Sequence, residues 1–181
     1  MALSGCLLLS SCMVFSTQPL CAPEKAKVDP RLVGDWPSKE KPGQIMRISI
    51  VNPHEMRAES IGKAPREKGA PAYLEFYPTV IGGRNLVSVT WKTGRKSESF
   101  YIFLRYEISK DHDLILHPMD VSKMEAAVRA GKLKGKIEKG EIDLPILKPF
   151  PDTNVDLTDN SAKIAEFVRK TGADGLFDDK Q

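Results

Sequence analysis

The stretch FYIFLRYEISKDHDLILHP, residues 100–118, decides the fold. From Phe100 to Ile108 every even position is apolar: Phe100, Ile102, Leu104, Tyr106 and Ile108. Arg105 and Glu107 fall on the opposite face, so the spacing predicts a strand with one buried side and one mixed side. Ser109-Lys110-Asp111-His112 then supplies turn chemistry, because short polar side chains can bond the backbone as it reverses. Leu114 and Leu116 restart the alternation, which makes a hairpin. Beyond it, Val121, Met124, Ala127 and Val128 form the apolar stripe of a short helix. Asp120 or Ser122 can cap that helix, Ser122 with Glu125 has capping-box spacing, and Gly131 ends it.

Upstream of the hairpin the same period recurs. Met46, Ile48 and Ile50 alternate with Arg47 and Ser49, and Asn52-Pro53-His54 turns the chain into a weaker strand over residues 56–61. Residues 62–72 hold Gly62, Pro65, Gly69 and Pro71 among charges and read as a loop. Leu74, Phe76 and Val80 mark the next strand, Gly82-Gly83-Arg84-Asn85 a tight turn, and Val87, Val89 and Trp91 the return. About seven strands follow one another through short turns, too short for a parallel crossover helix. Downstream, residues 132–137 lead into another extended piece. Residues 144–151 contain three prolines and are expected to be irregular. Val155 and Leu157 suggest a last short strand. Asp159 is placed to cap a second helix with Ile164, Phe167 and Val168 buried and Gly172 as its stop, after which Leu176-Phe177 can pin the C-terminus. The expected fold class is therefore mainly β, an antiparallel meander with two short helices in the C-terminal third. Closing the sheet into a small barrel would protect its edges. Gly34-Asp35-Trp36 at the domain entrance resembles the first-strand signature of lipocalin-like barrels, where the tryptophan closes one end.

The N-terminus carries a different message. Residues 1–15 contain Leu3, Leu7, Leu8, Leu9, Met13, Val14 and Phe15 and no charge. Crossing the hydrocarbon takes roughly 20 apolar residues, so this segment reads as the apolar core of a signal peptide. The missing basic region suggests that the true start lies upstream. Leu3-Ser4-Gly5-Cys6 and Leu9-Ser10-Ser11-Cys12 both have the lipobox order: Leu at −3, two small residues, then the cysteine whose thiol takes the diacylglycerol. Cys12 is preferred as the lipidation site, with Cys6 the alternative. With Cys12 modified, Cys21 stands alone; with Cys6 modified, Cys12 and Cys21 could pair in an oxidising compartment. Two or three acyl chains give a stable anchor at ~0.8 kcal/mol per buried CH₂. The expected organisation is a signal peptide over residues 1–11, a lipid anchor and flexible tether over 12–30, one β-rich domain over 31–177, and a tail over 178–181.

Taken together, the lipobox, Val33-Gly34-Asp35-Trp36, Leu104-Arg105-Tyr106-Glu107 with Leu114-Ile115-Leu116, the run from Ala130 to Gly135, and Leu157-Thr158-Asp159 before a helix ending near Leu176-Phe177 resemble a family of uncharacterised Gram-negative bacterial lipoproteins with a lipocalin-like β-rich domain. The resemblance covers nearly the whole chain and implies the cell envelope. Neither Met13 nor Leu7 is the aspartate that such lipoproteins use for inner-membrane retention, so it implies the outer membrane, facing the periplasm. It brings no activity.

Composition narrows the function without naming it. A formal charge of +3 over 181 residues gives no footing for nucleic acid as a partner. His112 and His117 lie five apart and would face opposite sides of a strand, so no metal site or cofactor is expected. There is no nucleophile elbow, phosphate loop or dinucleotide fingerprint. One basic cluster, Arg129, Lys132, Lys134 and Lys136, reads as a solvated helix end, with contact to anionic headgroups as the sharper alternative. A hollow barrel would be walled by Trp36, Val87, Val89, Trp91, Phe100, Ile102, Leu104 and Tyr106. The leading expectation is a non-catalytic binding or assembly module held to the membrane by covalent lipid, its partner an envelope protein. A carrier of a small apolar ligand is the alternative, and an unrecognised envelope enzyme the third.

Overall fold

The computed structural model describes residues 13–39, 42–62, 73–90, 100–138, 142–144, 147–150 and 153–178. Its strands are β1 (Val14–Ser16), β2 (Gly34–Pro37), β3 (Gln44–Asn52), β4 (Glu55–Gly62), β5 (Leu74–Ile81), β6 (Arg84–Thr90), β7 (Tyr101–Ile108), β8 (Leu114–Pro118), β9 (Gly135–Glu138), β10 (Ile142–Leu144), β11 (Leu147–Phe150) and β12 (Asn154–Leu157). Two helices, α1 (Val121–Arg129) and α2 (Ser161–Thr171), lie in the C-terminal third. The fold is mainly β, as the alternation predicts.

Strands β2 to β8 form the expected antiparallel meander, each pairing with the next. The barrel does not form. The ten-stranded sheet runs from β2 to β9 and is not closed. The reason lies along one edge of β7. Its second half is taken by β8, with Ile108 opposite Leu114 and Leu104 opposite Pro118. Its first half is taken by β1, with Phe15 opposite Ile102 and Ser16 opposite Tyr101. The sheet forks there: β1 leads on to β12 and β9, away from β2.

β1 is also the first part of a correction to the tether. Val14–Ser16 pairs parallel to β12, Val14 opposite Val155 and Ser16 opposite Leu157. This parallel pair was invisible in a segment read as leader and linker. The following residues are packed as well, since Leu20, Ala26 and Leu32 are all at most 2% exposed. They stand six apart, matching neither helix nor strand period, because each is buried singly as the chain crosses the domain. Leu20 N donates to Ser88 Oγ at 2.9 Å, Lys27 N to the Pro78 carbonyl at 3.3 Å, and the Tyr106 hydroxyl to Asp29 Oδ2 at 2.9 Å. Residues 17–33 are a strap, and Val14 to Pro30, expected as part of a tether, belong to the folded domain.

Each face of the sheet buries its own apolar cluster. On the helix side, Val14, Leu20, Leu86, Phe103, Val155 and Leu157 meet Met124, Ile164, Val168 and Phe177. On the other side Leu32, Ile48, Met56, Phe76, Val87, Val89 and Tyr106 pack together. The strap enters both, through Leu20 on one face and Leu32 on the other. Asp120 caps α1, accepting from Lys123 N, and Gly131 leaves it at φ +66. Asn160 rather than Asp159 caps α2, accepting from Lys163 N at 3.0 Å. Asp159 is buried and accepts from Lys134 N at 2.6 Å, which ties α2 to the approach of β9. Leu176-Phe177 does pin the C-terminus: Asp120 N donates to the Leu176 carbonyl, and Met119 bridges Phe177. The proline-rich residues expected to be irregular contain the separate hairpin β10–β11, with Ile142 opposite Phe150 and Leu144 opposite Leu147.

Truncating Leu20 to alanine should lower the unfolding free energy by about 2–5 kcal/mol, the usual cost of a large-to-small change in a packed core. Urea denaturation reads this directly, and a loose linker would show no change. Gly135→Ala should also destabilise, by roughly 1–3 kcal/mol as an overpacking change, because its Cβ would come within 2.6 Å of the Asp156 carbonyl oxygen on β12.

Candidate functional site

Six of the eight residues expected to wall a cavity share one face of the sheet. Val87, Val89 and Tyr106 are buried in its cluster, and Trp36, Ile102 and Leu104 pack half-buried against it. Trp36 is fixed by its indole Nε1, which donates to the Leu32 carbonyl at 2.8 Å. Phe100 is separate: it precedes β7, is exposed, and borders a 170 Å³ pocket with Lys136, Glu138 and Asp156. Burial and the neighbouring Glu138 raise the Asp156 carboxyl above its ordinary range. Trp91, Cys6 and Cys12 lie outside the described residues.

The larger opening is polar. A cleft of about 300 Å³ sits where β6 begins and β7 ends, lined by Arg31, Arg84, Asn85, Arg105, Tyr106 and Glu107 among others. Each arginine comes from a different piece of chain, and each is held by a carboxylate. Asp29 begins the short turn Pro30–Leu32, accepting from Arg31 N at 3.0 Å. It also grips the Arg31 guanidinium twice, through Nε at 2.9 Å and Nη2 at 2.6 Å. Arg84 pairs with Asp174, and Arg105 with Glu107. Arg105 is the unusual member: its side chain is 7% exposed, on the helix face beside Phe103, with Asp174 Oδ1 at 3.8 Å. A guanidinium so deep needs carboxylates around it, because desolvating a charge costs several kcal/mol unless it is paired. His117 continues the row. Its Nδ1 donates to the Asp178 carbonyl at 2.9 Å, and its Nε2 lies 3.9 Å from Glu107.

Tyr106 ties the cleft to the strap through Asp29. Burial, reinforced by the Asp29 carboxylate that its hydroxyl donates to, raises the phenol well above its ordinary range, so it stays a donor. Asp29 moves the other way. The Arg31 hydrogen bond, helped by Tyr106 and the Arg31 backbone amide, outweighs burial and holds its carboxyl below the ordinary range.

The basic cluster stands apart from the cleft. Arg129 pairs with Glu125 at 2.7 Å, and Lys132, Lys134 and Lys136 are exposed. Lys134 lies beside Thr158, past the end of β12, while Met13 lies beside Asn154 at its start. Four residues of strand, roughly 13 Å, separate these levels, so Lys134 lies at the end of the sheet away from Met13, while Lys136 opposes Asp156 partway along β12. Among the described residues no group of histidines, cysteines and carboxylates could hold a metal ion.

Nothing in the sequence announces the arginine cleft, because Arg31 reaches it only through the strap. The nearest hint is Arg105 itself, a charge inside an otherwise apolar strand. No protein-family model matches this chain, and neither do any of the curated proteins or solved structures searched.

Replacing Asp29 by asparagine should lower stability at pH 7 by about 1 kcal/mol, the scale of one net hydrogen bond to a charged partner at the surface. A carboxylate whose folded pKa is depressed stabilises above its unfolded value, about 3.9, and loses that contribution as pH falls through the folded value. The gap between Asp29→Asn and the parent should therefore begin to narrow near pH 4 and close as pH falls through the depressed folded value, which parallel urea titrations at several pH values will read.

Proposed function

We propose that this chain is an outer-membrane lipoprotein facing the periplasm, anchored by acyl chains on Cys12, whose β-domain is a non-catalytic binding or assembly module for an envelope component. The observation that supports it most is the position of β1. Val14–Ser16 pairs with both β7 and β12 and joins the meander to the C-terminal part of the sheet. Cleavage before Cys12 keeps this strand, whereas cleavage downstream of Ser16, as in an ordinary secretory leader ending nearer the prolines, would delete it. The alternative anchor Cys6 also keeps it but leaves Leu7-Leu8-Leu9 in the mature chain.

The short spacing has a geometric result. One residue, Met13, separates Cys12 from β1, so the lipid is fixed to the sheet itself rather than to a leash. Met13 is held in place: its carbonyl accepts from Val155 N at 3.1 Å and its amide donates to Asn154 Oδ1 at 3.4 Å. The end of the sheet where Met13 lies then faces the bilayer. The β10–β11 hairpin leaves from the same end, since Glu138 and Asn154 at its base are directly opposed. The second reading, carriage of a small apolar ligand, rests on the half-buried Trp36, Ile102, Leu104, Leu114 and Leu116 along one sheet face.

Mass spectrometry of the protein extracted from envelopes should give an N-terminal Cys12 carrying diacylglycerol and a further acyl chain. Cys12→Ser should move the protein into the aqueous phase of a detergent partition. A mature N-terminus beyond Ser16 would overturn the reading.

A further inference from the structure

The 300 Å³ cleft gathers guanidinium groups from the strap (Arg31), the start of β6 (Arg84) and the middle of β7 (Arg105). We propose that this cleft is a binding site for a phosphate group. The inference names a ligand class for the module described above and rests on that reading only for where the ligand is met.

The guanidinium donors carry the first part of the argument. The lining holds three arginines and one carboxylate, Glu107. Asp29 and Asp174, which pair with Arg31 and Arg84, are not in that lining. They hold these two guanidinium groups in fixed orientation, and with Arg105 held by Glu107 the three arginines line the cleft as pre-oriented N–H donors, each paired with a carboxylate. Planar, pre-oriented guanidinium groups suit the oxygens of a phosphate better than point-charge ammonium groups do. Asn85 adds an amide at the rim. The volume carries the second part: about 300 Å³ is the low end of the small-ligand range, enough for a phosphate with a small polar substituent and too little for an acyl chain.

Position carries the third. Phe15 opposes Ile102, so continuing the register brings Met13 level with Leu104, one residue before Arg105. Arg84 lies further in the same direction, because Leu86 opposes Arg105. The cleft thus opens at the end of the sheet that bears the anchor, opposite to Lys132 and Lys134. A phosphate met there has two sources, the headgroup of a glycerophospholipid or a free phosphate compound, and both offer the same oxygens.

Isothermal titration of the purified full chain with inorganic phosphate should show saturable one-to-one binding. Arg84→Gln and, separately, Arg31→Gln should each weaken it by roughly ten-fold, the loss expected for one charge-assisted hydrogen bond, and Lys134→Gln should leave it unchanged. Both arginines are at least half exposed and sit on different segments, so one variant's folding fault would not mask the other. Titration with a short-chain phosphatidylglycerol below its micelle concentration separates the sources: tighter binding than phosphate assigns the lipid headgroup, and equal or weaker binding assigns a free phosphate. Absence of saturable phosphate binding, or binding indifferent to both arginine substitutions, overturns the proposal. The mass of the mature N-terminus is read independently, so loss of the site and loss of the anchor are distinguishable.

Discussion

Three residues hold the two parts of this sheet together. Val14–Ser16 hydrogen-bonds to β7 on one side and to β12 on the other, and among the described residues the sheet order has no other link between the meander and the β12–β9 pair. A two-stranded ribbon is marginal by itself, so β9 and β12 depend on this seam and on the helices packed over them. The seam is strong for its length because Val14 and Phe15 are almost fully buried, and each such side chain contributes about 1.5–3 kcal/mol. The fork of the sheet, the open edge and the placement of the helices all follow from β1 occupying half of the β7 edge that a closed barrel would have needed.

The strap extends that constraint to both faces. It buries Leu20 against the helix-side cluster, passes His54 (whose Nδ1 lies 2.8 Å from the Ala26 carbonyl), and seats Leu32 in the opposite cluster. Asp29 then does two things at once. It orients Arg31 at the cleft and accepts the Tyr106 hydroxyl, so the wall of the polar opening is tied to the middle of β7. Arg105 sits on the other side of that strand, and its carboxylate partners come from β7 itself and from the segment after α2. The cleft is therefore assembled from the N-terminal, central and C-terminal parts of the chain, and it exists only when the sheet is complete.

What was legible in the sequence was local. The period-two runs around Ile48, Phe76, Val87 and Ile102 mark strands in the right order, and Gly82-Gly83 and Ser109–His112 mark their turns, because those signals depend on near neighbours alone. Asp120, Gly131 and Gly172 marked helix ends for the same reason. Long-range features escaped. Val14 and Phe15 look alike whether they serve a leader or a strand, and a three-residue strand has too few positions to show a period. Leu20, Ala26 and Leu32 are buried without periodicity, so prolines between them argued for a linker. Asp159 was mistaken for a cap because its true partner, the Lys134 amide, is 25 residues away. The face of the central strand that reads as mixed is in fact buried at Phe103 and Arg105, which are covered from the helix side.

The wide separation of β1 from its neighbours also sets the order in which the molecule can be finished. Met13 and Asn154 touch across 141 positions, and closing so long a loop is slow compared with forming adjacent hairpins. As the chain emerges N-terminus first, strands β3 to β8 can zip sequentially, and Val14–Ser16 meets β7 before its second partner, β12, which lies more than a hundred residues behind it. The last act of assembly is thus the docking of β12 on a strand from near the start of the chain. Until the C-terminal third arrives, the edge of Val14–Ser16 that takes β12 stays open.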